Sequence, residues 1–264
     1  MSDQKELVIS SGDQLLQATT RRKFLGVMGV GGAIVFLPSV FAACNNDDNN
    51  GTGIVGGGTA AQFTLNLSDD TGILNYAYAL EQLEAAYYTA ALGSAGFAAL
   101  SDAEKEVLTD LQKHEVIHRE FFKTVLGSKA IPTIVFNTTT VGNLTANRDV
   151  LLKTSQLLED TGVSAYNGAG KYLTQAANLL VAGKIVSVEA RHAAAIRDIR
   201  DGSNGRLFAG DDVVDKTSGL DVKAEPSTVI AAVGGLNVLV SPVSIGTGPN
   251  AAIKSADAPA PSPV

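Results

Sequence analysis

Between residues 65 and 202, apolar side chains recur at helical spacing in four long stretches. In the first, 72–92, Leu74, Ala77, Ala85, Tyr88 and Leu92 all fall within about 40° of Glu81 at ~100° per residue. A charged residue at the centre of an apolar stripe is expected to face the core. The second stretch opens with the capping-box pattern Ser101-Asp102-Ala103-Glu104 and runs to Leu126 before Gly127. Its stripe of Leu108, Leu111, Phe122 and Leu126 includes Glu115 and His118. A third helix is expected from about Thr145 to the Asn167-Gly168-Ala169-Gly170 breaker, with Leu152, Val163 and Tyr166 on the face of Glu159. The fourth runs from about Tyr172 to Ile199 and places Ala182, Ile185, Ala193 and Ile196 around Glu189 and His192.

The connection at 128–146 contains Pro132 and a β-branched, Asn- and Gly-containing run without helical periodicity. Up-down bundles use short loops, so a long connection between two helix pairs predicts a bundle with one crossover. A short extended piece is expected around 134–136. Residues 203–255 read as an irregular C-terminal extension, with a short helix at 226–236 and an extended run at 237–245. The predicted class is therefore all-α: a four-helix bundle (65–202), one long crossover and the extension. A weak internal repeat supports this division, because Glu81 precedes Tyr88 and Glu159 precedes Tyr166 by seven residues each.

The ends read differently. Thr20-Arg21-Arg22-Lys23-Phe24-Leu25 opens an apolar run to Ala43, and Phe41-Ala42-Ala43-Cys44 is similar to a lipobox with Phe in place of the usual Leu. The paired Arg21 and Arg22 followed by Phe-Leu resemble a twin-arginine export signal, so residues 1–44 are expected to be a lipoprotein signal with Cys44 as the lipidated residue. The competing reading is an uncleaved anchor helix, since about 20 apolar residues can span a bilayer. Cys44 is the only cysteine, so intramolecular disulfides and cysteine-ligated metals are excluded. Residues 45–64, rich in Asn, Asp, Gly and Thr, are expected to be a flexible tether, and the Ala/Pro/Ser-rich 256–264 a disordered tail. The net charge of −7, with no internal basic cluster, argues against nucleic-acid binding. These features predict an exported envelope lipoprotein that meets the membrane through its lipid.

Two of the three histidines follow a glutamate by three residues, giving Glu115-Val116-Ile117-His118 and Glu189-Ala190-Arg191-His192. Residues at i and i+3 share a helix face, so each pair can offer one ion a carboxylate and an imidazole. Four ionised glutamates on inward stripes would repel each other and be costly to desolvate without positive charge between them. Two divalent ions would supply it.

The matching residues are Leu80-Glu81-Gln82-Leu83-Glu84 with Tyr88, His114-Glu115-Val116-Ile117-His118, Leu158-Glu159-Asp160 with Ala165-Tyr166, and Glu189-Ala190-Arg191-His192 followed by Arg197. Over about 69–202 they resemble the ferritin-like superfamily, in particular its exported family related to desiccation-related proteins. The resemblance implies Glu81 and Glu159 as terminal carboxylates, Glu115 and Glu189 as bridging ones, and His118 and His192 as terminal imidazoles for two iron or manganese ions. It further implies oxygen or peroxide as reaction partners.

Several alternatives stay open at this level. Glu84 rivals Glu81, although only Glu81 reproduces the seven-residue offset to a tyrosine; Glu84 would then stand behind the ligands. Tyr88 and Tyr166 either hydrogen-bond ligand carboxylates, pointing back along their helices, or simply pack. His114 completes H-E-x-x-H, the zinc-peptidase pattern in which both histidines bind the metal, but that reading leaves the second Glu-x-x-His unexplained. Otherwise His114 supports the site from outside. Carboxylate-rich ligation with two nitrogen donors suits iron or manganese better than zinc or copper. Ferroxidase, peroxidase or catalase-like redox chemistry is the first functional expectation. A stress-associated envelope protein that holds metal without turnover is the second, and a vestigial site the third. A homodimer through exposed apolar helix faces is expected as the assembly, though no heptad seam marks one.

Overall fold

The computed structural model describes residues 63–240 and 243–246. Arg21, Arg22 and Cys44 of the expected export signal, the expected tether up to residue 62 and the expected tail at 256–264 lie outside the described residues. The described elements are β1 (Phe63–Leu65), α1 (Asp70–Leu92), α2 (Ala95–Ala98), α3 (Asp102–Leu126), α4 (Thr138–Leu144), α5 (Arg148–Ala169), α6 (Ala176–Arg200), α7 (Pro226–Gly235) and β2 (Val243–Ile245). Helices α1, α3, α5 and α6 form the four-helix bundle, as the apolar periodicity predicts. Its two hairpins, α1 with α3 and α5 with α6, are joined through the crossover.

Local chemistry sets the helix ends. Ser101 and Glu104 form the reciprocal capping box of α3, and Gly127 ends that helix with φ 54°. Asn147 caps the third bundle helix, which was expected to begin near Thr145, by accepting from Val150 N. Thr145 instead ends α4, a seven-residue helix inside the crossover that apolar periodicity did not reveal. Asn137 caps it by accepting from Thr140 N, and Val141 anchors it in the core, so cap and packing outweigh the poor helix propensity of three consecutive threonines.

Nearly all of α1 is buried, because it is covered on every side: by α3, by α5, and on its outer flank by the crossover and the C-terminal extension. The first part of the crossover takes side-chain partners for its backbone from two buried amides on α1. Ile131 N donates to Asn75 Oδ1 at 2.7 Å and Asn75 Nδ2 to Lys129 O at 2.9 Å. Ile134 N donates to Gln82 Oε1 at 2.8 Å. The extension adds β2, which pairs in parallel with β1, and a bridge between Phe136 and Leu239. It also crosses α5 where Ala224 N donates to Ser164 O at 2.9 Å. A Cβ on Gly168 would lie 1.8 Å from Ala224 O, so only glycine permits that crossing. Arg197 ties the same layers together, donating to both oxygens of Asp160 on α5 and to both of Asp212 in the extension.

Helix α6 has no side-chain cap of its own. Asp70, in the first turn of α1, takes that role by accepting from Thr174 N and Oγ1, Gln175 N and Asn178 Nδ2 at 2.7–3.1 Å. Burial opposes its ionisation, but these donors outweigh it and hold the carboxyl well below its ordinary 3.8. Asp70→Asn should cost about 2 kcal/mol of stability at neutral pH, measured by urea unfolding. Because the folded pKa is the lower one, that stabilisation is complete above the usual carboxylate range and fades as pH falls. Wild-type and variant midpoints should therefore converge in acid; a constant gap down to the acid limit would refute the assignment.

Candidate metal centre

Glu81 on α1, Glu115 and His118 on α3, Glu159 on α5, and Glu189 and His192 on α6 converge in the middle of the bundle. All four glutamates are fully buried and His192 nearly so. They form two groups, Glu81–Glu115–His118–Glu189 and Glu115–Glu159–Glu189–His192, in which the donor atoms of each group lie within 4.8 Å of one another. Glu115 and Glu189 belong to both. His118 Nδ1 stands 3.4 Å from Glu81 Oε2, 3.4 Å from Glu115 Oε2 and 2.8 Å from Glu189 Oε1. His192 Nδ1 mirrors this, at 3.4 Å from Glu159 Oε2, 2.8 Å from Glu115 Oε1 and 3.4 Å from Glu189 Oε2. Each shared carboxylate thus turns one oxygen to each group.

None of these contacts has hydrogen-bond geometry. Glu81 Oε2, Glu159 Oε2, both oxygens of Glu115 and Glu189, and Nδ1 of His118 and His192 are buried without a hydrogen-bond partner. Buried polar atoms are rarely left so, and here they form two sets of four that each surround a point. Donors bonded to one ion at about 2.1 Å stand roughly 3.0–3.4 Å from one another in octahedral or tetrahedral geometry. The observed 2.8–3.4 Å spacings fit that arrangement. The residues present therefore fit two cations.

The oxygens facing away from the centre are satisfied. Tyr88 on α1 donates to Glu159 Oε1 at 2.6 Å, and Tyr166 on α5 donates to Glu81 Oε1. The bonds run across the bundle, not back along each tyrosine's own helix. Seven residues is about 10.5 Å of helix rise, too far for a phenol to span, so each tyrosine reaches the opposite helix's glutamate. Burial, followed by the adjacent glutamate's charge, pushes both phenols well above their ordinary 10.0, so both remain donors.

Without metal, the same surroundings favour protonation of most of these groups. Burial opposes charge on the histidines, but the surrounding carboxylates push His118 and His192 each up to about 12. Burial raises Glu159 to about 8 and lifts Glu81 and Glu84 well above the carboxylate range, the neighbouring glutamates adding to the effect. Burial also opposes ionisation of Glu115, but His118 and His192 outweigh it and pull the carboxyl down to about 2.

His114 stands outside both groups. Its Nδ1 lies 2.9 Å from His192 Nε2, with the two rings stacked. His114 and His118 therefore do not converge on one ion, which removes the geometric basis of the zinc-peptidase alternative. A neutral His192 that presents Nδ1 to the centre must carry its proton on Nε2 and donate it to His114. Glu84 is buried, also outside both groups, and a Cβ on Gly162 would come within 3.1 Å of its Oε1. The role of Gly162 was not evident from the sequence; its place three residues after Glu159, on the same helix face, was the available sign.

Two carboxylate- and imidazole-lined groups buried between the hairpins of a crossover bundle define a class: helical-bundle proteins with a carboxylate-rich site able to hold metal. The family model of the ferritin-like domain matches residues 69–201, and the chain belongs to that family. No curated protein matches the chain.

Proposed function

We propose that the bundle holds two iron or manganese ions, with Glu81 and Glu159 as terminal carboxylates, Glu115 and Glu189 as bridges, and His118 and His192 as terminal imidazoles. The observation that carries this reading is the two sets of four unpartnered inward atoms that share both bridging carboxylates. When bound, adjacent ions of these metals supply two-electron chemistry toward oxygen or peroxide, as in ferroxidase, peroxidase or catalase-like turnover. Around them, Tyr88 and Tyr166 hold the terminal carboxylates in place, and His114 fixes the tautomer of His192. His118, whose side chain is 12% exposed, marks the side of the centre nearest to solvent.

The purified chain should contain two iron or manganese ions, lost on His118→Ala plus His192→Ala, and its ultraviolet-visible spectrum should change on addition of oxygen or peroxide. Bound ions that keep one oxidation state under both oxidants would instead favour the metal-holding, stress-associated reading suggested by the desiccation-related resemblance. A single zinc lost on His114→Ala and retained in His192→Ala would overturn the two-ion assignment.

The same proposal places the protein at the cell envelope as an exported lipoprotein. Arg21, Arg22 and the Cys44 lipobox support it. A reporter fused to residues 1–60 should lose export when Arg21 and Arg22 are both changed to Lys, and unimpaired export would exclude the twin-arginine route.

A further inference from the structure

One end of the bundle has an apolar surface that the fold does not use. Helix α6 opens with Ala-Ala-Asn-Leu-Leu-Val-Ala-Gly at 176–183, and its single polar side chain, Asn178, is turned inward to Asp70. Ala176, Ala177, Leu179, Leu180 and Gly183 are exposed, Leu180 to 63%. The hydrogen bonds of Asp70 to 174–178 and of Asn75 to Lys129 bring the start of α6 and the end of α3 to the same end of α1. There Val125, in the last turn of α3, is 51% exposed. Exposed lysines rim these residues: Lys123 and Lys129 beside the end of α3, Lys171 before α6, and Lys184 within it. Lys171 pairs with Glu225, and Lys123 lies 3.9 Å from Glu120.

We propose that this end of the bundle docks on an anionic lipid bilayer, with Leu179 and Leu180 entering the interface and Lys129 and Lys184 meeting headgroup phosphates. Apolar side chains ringed by lysine are the composition of an interfacial helix face. Among the described residues no helix is long and apolar enough to cross a membrane. The choice of a bilayer over a second copy rests on two points. A two-fold dimer on this surface would bring the lysine rim against its own like charges. The second point depends on the lipoprotein reading: Cys44 lies nineteen residues before Phe63, which limits the bundle to about 65 Å from a lipid anchored there. Such a tether raises the effective concentration of the bilayer at any surface able to bind it.

The chain contains no tryptophan, so Leu180→Trp in the full chain gives a single local reporter. With anionic vesicles carrying brominated acyl chains, its emission should shift to the blue and be quenched about two-fold or more, as for a side chain at the acyl boundary. Leu157→Trp, at an α5 position that is 47% exposed, should show neither change. Lys129→Glu plus Lys184→Glu should return the Leu180→Trp signal to its value in zwitterionic vesicles. Co-flotation of both reporter chains with equal, unquenched emission would overturn docking while leaving the tether intact. Quenching of Leu180→Trp that persists in a Cys44→Ser chain would uphold docking even if the lipid reading failed. A blue-shifted Leu180→Trp emission that appears without vesicles and rises with protein concentration would assign the surface to a second copy and overturn the proposal.

Discussion

Glu115→Gln should deprive the chain of both bound ions, whereas Glu81→Gln should cost it one. Glu115 Oε2 faces the group that contains His118, and its Oε1 faces the group that contains His192, so one substitution removes a charged donor from each. Glu81 presents a single oxygen to one group and ties the other to Tyr166. Glutamine keeps the shape and leaves the packing around α3 intact, while a neutral amide cannot balance a divalent ion in a site closed to water. Altering even a residue that only supports a ligand typically weakens metal affinity by about 10–100-fold, and loss of a shared ligand should exceed that at both positions. Metal per chain, measured after desalting, should fall from two to near zero for Glu115→Gln or Glu189→Gln and to about one for Glu81→Gln or Glu159→Gln. Far-ultraviolet circular dichroism should show the bundle retained in all four. If the four variants each lose a single ion, the carboxylates of Glu115 and Glu189 do not bridge.

The pattern of those effects tracks what could be read from the chain. The helices that carry Glu81, Glu115, Glu159 and Glu189 were legible because each glutamate interrupts an apolar stripe whose period is set by the α-helix itself. The i, i+3 spacing placed each histidine beside its own glutamate in the same way. Partners across helices were not legible. The seven-residue offset flagged Tyr88 and Tyr166, but only the antiparallel packing of α1 and α5 decides that each reaches the other helix's glutamate. His114 likewise reads as half of a local motif until α6 brings His192 Nε2 to 2.9 Å from it. The long crossover was legible as a connection, but its internal structure was not, for another reason. Its backbone is satisfied in part by Asn75 and Gln82, more than fifty residues earlier on α1, and in part by the extension about a hundred residues later, and no local pattern encodes partners at those distances. Helix α4 depends on a single Asn cap and one buried valine, too little for periodicity to register.

Chelator-treated protein should unfold at progressively lower temperature as pH rises from about 5 to about 8, while the manganese-loaded protein should not. In the metal-free chain Glu159 sits at about 8, above its ordinary 4.5, so the folded state holds a proton that the unfolded state releases. Its contribution is full below 4.5 and is lost as pH climbs through 8. Glu81 and Glu84 shift in the same direction. His118 and His192, raised from 6.5 to about 12, give a contribution that is full below 6.5 and declines at higher pH. Glu115 works in the opposite sense, but its pull to about 2 matters only as pH falls below 4.5, outside the window. From pH 5 to 8 these shifts together reduce metal-free stability with rising pH, against the single opposing contribution of His114, which burial pulls below its ordinary 6.5. Bound cations reverse the dependence, because they need the carboxylates and imidazoles deprotonated and so bind more tightly as protons leave. The separation between the two melting temperatures should widen steadily across that range, and parallel curves would mean that the buried carboxyls are not exchanging protons for metal.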